Sequence, residues 1–133
     1  MKRTPEQLKK FVLDTLLPYK NNPTICGWNK SEGLCEYLTA EGNKCAVGKH
    51  LKEKPEWQGY IGNIEGMVDS LDKRDMQLDD VLKDEAKGIP IKVWKSMQRW
   101  HDELASGGNP NAFVSTLAVA VGLPMDELLI TNE

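Results

Sequence analysis

The chain has no run approaching ~20 consecutive apolar residues, so no segment reads as a membrane-spanning helix. From Met1 to Phe11 it turns charged and amphipathic at once, without an apolar core or a small-residue cleavage site, and a cytoplasmic protein is expected. Cysteine is scarce: three residues cannot all pair within the chain, which favours reduced thiols. Basic runs are nearly missing. The formal net charge is −3, and only Lys2-Arg3 and Lys9-Lys10 stand out, so broad nucleic-acid binding is disfavoured. Internal repeats, low-complexity tracts and dividing linkers are absent as well, which leaves residues 1–133 as a single domain.

What is present is an ordinary globular balance, 28% charged against 40% hydrophobic residues, enough to build one core. Four tryptophans (Trp28, Trp57, Trp94, Trp100) are many for this length. Thr4-Pro5-Glu6-Gln7 is a helix start: Thr4 caps, Pro5 takes the first helical position, and Gln7 completes a capping box. Leu8, Phe11, Val12, Thr15 and Leu16 then share one face, and Pro18 is expected to end the helix. A short helix over Ile64, Met67, Val68 and Leu71 and another over Leu78, Val81, Leu82 and Ala86 follow. Pro90 opens the longest expected helix, to about residue 105, with Ile91, Trp94, Met97, His101 and Leu104 inward. Asn109-Pro110 restarts a helix carrying Phe113, Val114, Leu117, Ala118 and Val121 until Gly122.

Between these helices lies the stretch from Gly33 to Leu51, which reads as a β-hairpin turning at Glu41-Gly42. Thr39 would face Asn43, Tyr37 would face Cys45, and Cys35 would face Val47. Strand alternation then puts Cys35, Tyr37, Cys45 and Val47 on a face that helices must cover. The expected fold is therefore α+β and predominantly helical, with about five or six helices packed around one β-hairpin.

Several groups of residues could carry chemistry. Cys35, Cys45 and His101 could ligate zinc, with Cys26 or His50 adding to them, since zinc takes thiolate and imidazole ligands in a tetrahedron. Their spacing matches no finger or knuckle, and the simpler reading, small hydrophobes beneath helices, is preferred. The same atoms allow a nucleophilic Cys45 activated by His101. Asp69 or Asp72 would orient that imidazole, because Asp102 follows His101 directly and should point elsewhere. Gly48-Lys49 lacks the earlier glycine and trailing Ser or Thr of a phosphate-binding loop. Lys44, Lys49 and His50 could nevertheless hold an anion, beside the loop aromatics Trp57 and Tyr60. Leu117 to Leu129 has helix-turn-helix spacing but no base-reading side chain in its second half, and suits a helical corner or a self-association surface better.

The run Cys35-x-Tyr37-x4-Gly42-x2-Cys45-Ala46-Val47-Gly48 resembles small uncharacterised proteins of bacteriophage and prophage genomes. The similarity continues through Trp57 to Leu71 with its Glu65-Gly66, and through Gln98, His101 and Asp102 on a helix. It covers about Leu34 to Leu123 and departs after Leu51, where the usual acidic pair is missing. What the resemblance implies is origin: a viral accessory protein acting in the bacterial cytoplasm. No catalytic role comes with it. The function expected is that of a non-catalytic binding protein without cofactor, masking a host protein or sequestering a nucleotide-like signal in counter-defence. A Cys/His-dependent or zinc-dependent enzyme and a helix-turn-helix regulator are the alternatives. Neither a membrane nor nucleic acid is an expected partner, and self-association is compatible with the pattern.

Overall fold

The computed structural model describes residues 3–29, 34–35, 39, 42–52, 68–69, 71–73 and 75–130, the side chains of residues 29, 34 and 35 excepted. Four α-helices lie wholly within the described residues: α1 (Pro5–Asn21), α2 (Leu78–Val81), α3 (Ile91–Ser106) and α4 (Val114–Val121). Single 3-10 turns join them at Pro23–Ile25, Gly48–His50, Asp84–Ala86, Pro110–Phe113 and Asp126–Leu128.

Helix α1 begins as its sequence dictates. Gln7 N–H donates to Thr4 Oγ1 at 3.2 Å, and Thr4 N–H donates back to Gln7 Oε1 at 2.9 Å, which satisfies two of the otherwise orphaned donors. Pro18 does not end it. The helix runs on to Asn21, because an exposed proline removes one N–H without blocking the carbonyls ahead of it, and Pro18 O still accepts from Asn22 N–H. Leu8, Val12, Thr15, Leu16 and Tyr19 are buried along one side. Helix α3 packs against α1, α4 and the Pro110–Phe113 turn. Its Val93, Trp94, Met97, Trp100 and His101 are all at most 1% exposed, whereas Ile91, expected inward, stands 41% exposed in the first turn. Gly122 takes φ +90° and closes α4, after which Met125 and Leu128 return to the core.

The α+β expectation, with five or six helices around a hairpin, is corrected by this architecture. Gly42 does take φ +89°, and Thr39 N–H donates to Asn43 O at 2.8 Å, but among the described residues the turn opens into no ladder. Cys45, Ala46 and Val47 are each fully buried, where a half-covered strand would bury alternate residues. The amides that follow bond locally, Lys49 N–H to Cys45 O at 3.1 Å and His50 N–H to Val47 O at 3.0 Å, so they are spent in turns. Cys35 pairs not with Val47 but with Trp28, in a two-residue antiparallel contact of β1 (Trp28–Asn29) with β2 (Leu34–Cys35). Tyr37, and Ile64 and Met67 of the expected short helix, lie outside the described residues, although Val68, Asp69, Leu71 and Asp72 are helical.

Two backbone contacts hold the segment from Cys45 to Lys52 in place. It meets the stretch after α2 through Lys83 N–H to His50 O at 2.8 Å and Lys52 N–H to Val81 O at 2.9 Å, which brackets a bridge between Leu51 and Leu82. On its other side, Cys26 and Lys44 form a parallel bridge. No helix among the described residues is long and apolar enough to cross a membrane.

Candidate functional site

Residues 44–50 lie against α1. Tyr19 Oη donates to Lys44 O, which fixes the backbone there. Lys49 Nζ donates to Thr15 O at 2.6 Å and sits 4.3 Å from the centre of the Tyr19 ring, a cation–π arrangement. Burial lowers the Lys49 amine to about pKa 8, against the opposing pull of the Cys26 and Cys45 thiols. His50 Nε2 lies 2.9 Å from Thr15 Oγ1, and its ring packs 4.7 Å from Phe11 and 5.7 Å from Trp94. Burial, followed by the charges of Lys49, Lys83 and Arg3, lowers His50 to about pKa 4, so the ring is neutral at pH 7.

Arg3 and Lys83 join this end although nothing in their sequence context marks them for it. Arg3 donates to Lys87 O at 2.7 Å and 3.0 Å and to Glu85 O at 2.6 Å, and its guanidinium lies 5.2 Å from the Phe11 centroid. Lys83 Nζ donates to Lys49 O at 3.3 Å. Lys2-Arg3 was visible as a basic pair, but only the fold shows that Arg3 reaches across to Phe11. Lys49, His50 and the backbone of Lys44 therefore lie on one short segment beside two further cations. Trp57 and Tyr60, the aromatic half of the expected site, lie outside the described residues.

The expected Cys35/Cys45/His101 group divides differently. Cys45 is fully buried, and its Sγ accepts the Gly48 N–H at 3.3 Å. His101, also fully buried, stands edge-on to Tyr19 with ring centroids 4.8 Å apart. Cys35 is placed by its backbone beside Trp28. Cys26 is buried too, and desolvation, with Asp102 and Cys45 adding to it, pushes its thiol up to about pKa 12. Among the described residues no group of three His, Cys, Asp or Glu could hold a metal ion.

Asp102 is the local surprise. Although adjacent to His101 in sequence, its Oδ1 folds back to 2.9 Å from His101 Nδ1 and also accepts Gln98 Nε2–H at 2.8 Å. Gln98 Oε1 in turn accepts the buried Val47 N–H at 3.1 Å. The Gln98, His101 and Asp102 step thus fastens the Cys45–Gly48 turn to α3. Among the described residues His101 Nε2 is buried without a hydrogen-bond partner, as are the indole nitrogens of Trp94 and Trp100.

At the C-terminal end, α4 and the turn after it line an open, mostly apolar groove of about 650 Å³ that includes Ala118, Val119, Leu123 and Leu129, with Asp126 among its lining residues. Val119 is 81% exposed there. Comparison with protein-family models, with curated proteins and with solved structures gives no match.

Proposed function

We propose that the protein is a small phage-derived accessory binding protein, acting in the host cytoplasm by masking a host protein or sequestering a nucleotide-like signal. The observation that supports this reading is the end formed by residues 44–50. Its Lys49 ammonium is held against α1, the Lys44 backbone is fixed there by Tyr19, and the further cation Lys83 is brought alongside. A preorganised cationic surface suits capture of an anion, because the side-chain entropy lost on binding has largely been given up beforehand. In a chain of net charge −3 such a patch is local, which favours a small anion over a nucleic-acid backbone.

A thermal-shift series over mono-, di- and cyclic nucleotides, paired with a pulldown from host lysate, tests it. Stabilisation by one nucleotide class, or recovery of one host protein, is expected. Absence of both contradicts the reading.

A second reading, in which Cys45 and His101 act as nucleophile and base or as zinc ligands, draws on one observation. His101 Nδ1 is engaged by Asp102 while Nε2 is buried without a partner among the described residues, the arrangement in which a carboxylate orients an imidazole for work at its far nitrogen. Elemental analysis of purified protein separates the zinc form from the rest, and Cys45→Ser tests the nucleophile.

A further inference from the structure

The cations around His50 are held by carbonyl oxygens and aromatic faces. Arg3 is fixed on the backbone of Glu85 and Lys87, Lys83 on Lys49 O, and Lys49 on Thr15 O. Among the described residues none of the three has a carboxylate within 4.0 Å, even though acidic residues outnumber basic ones 20 to 17. Carbonyl oxygens orient a cation but leave its net charge uncancelled. The three cations and His50 are half-buried, so that charge acts through a medium less polarisable than water.

The groups also form one connected set. Phe11 has Arg3 at 5.2 Å and the His50 ring at 4.7 Å, while Lys83 donates to the backbone carbonyls of His50 and Lys49 through its backbone N–H and Nζ. His50 Nε2 is engaged by Thr15, so Nδ1 is the ring nitrogen left without a protein partner among the described residues. In the tautomer with the imidazole proton on Nδ1, the Thr15 hydroxyl donates to Nε2 and Nδ1 offers a neutral donor.

We propose that Arg3, Lys49, His50 and Lys83 form a binding site for a single phosphate group, free or at the end of a nucleotide. This rests on the reading of residues 44–50 as an anion-capturing end and names the groups and the ligand. Phosphate suits the set because its charge approaches two and its oxygens accept from several directions, matching ammonium, guanidinium and imidazole donors. A carboxylate carries one charge and would leave most of the positive charge unmatched. Lys49 must be protonated to contribute, so binding weakens as pH rises through about 8.

Isothermal titration at low salt with inorganic phosphate and with AMP, on the intact chain and on Arg3→Gln and Lys83→Gln, tests the site. Circular dichroism checks that each variant folds. Binding of phosphate that weakens about tenfold in each variant is expected, the effect of losing one charge-assisted hydrogen bond. If AMP binds with the same losses, site and nucleotide reading stand together. If phosphate shows the losses and AMP does not bind, the site stands and the nucleotide reading fails. Binding of AMP or phosphate that neither substitution alters overturns the site, and so does a lack of binding by both.

Discussion

Replacing Gln98 with methionine isolates the polar fastening between α3 and the Cys45–Gly48 turn. Gln98 is 1% exposed, its Oε1 accepts the Val47 N–H at 3.1 Å, and Nε2 donates to Asp102 Oδ1 at 2.8 Å. Methionine keeps the length, the volume and the helix propensity, so packing changes little. What is lost is polar satisfaction. Val47 is fully buried, and stranding its amide costs about 1–3 kcal/mol. Asp102, whose side chain is 27% exposed, can replace its lost donor with water at a cost below about 1 kcal/mol. The sum is about 1–4 kcal/mol, or a fall in Tm of roughly 4–14 °C for a chain of this size. Urea unfolding followed by tryptophan fluorescence should show a lower midpoint at an unchanged slope. A variant within about 0.5 kcal/mol of the parent, the range of an ordinary surface change, would refute the idea that Gln98 carries the Val47 amide.

Other outcomes follow from the same geometry. Thr4→Ala removes the acceptor for Gln7 N–H and should cost about 1 kcal/mol, read by the same unfolding curve. Cys26, buried with its thiol pushed up to about pKa 12, should resist iodoacetamide at pH 8 in the folded protein and alkylate fully in denaturant, as peptide mass mapping would show. His50 is lowered to about pKa 4 from an unfolded value of 6.5, so between those limits the unfolded chain binds more protons and stability falls as pH drops from 6.5 to 4. His50→Gln should flatten that part of the stability profile; an unchanged slope would place its origin elsewhere.

The helical part of the fold was legible because local rules agree with the tertiary structure. The Thr4-Pro5-Gln7 cap, the period of α3 and the glycine after α4 all act within a turn or two of chain. The hairpin was misread for a reason of the same kind. Gly42 supplied a true turn signal, but Cys45-Ala46-Val47 are small or apolar on every side, so alternation could not separate a strand from a buried turn. The decisive contacts, Leu51 with Leu82 and Cys45–Gly48 against Gln98, span long stretches of sequence and leave no local mark. Likewise Lys49 and His50 stood out as a charged cluster, whereas Arg3 and Lys83 join them only once α1 and the segment after α2 are in place. Asp102 defied the helical-face argument because a short side chain one position on can still bend back to the preceding ring.

The most direct test of the cationic site is a proton NMR titration of the His50 ring, in the free protein and with saturating phosphate. A midpoint near 4 in the free protein that moves up when phosphate is added is expected, since a bound anion favours the imidazolium. A free-protein midpoint near 6.5, or one that phosphate leaves unmoved, would contradict the proposal of an anion site at Arg3, Lys49, His50 and Lys83.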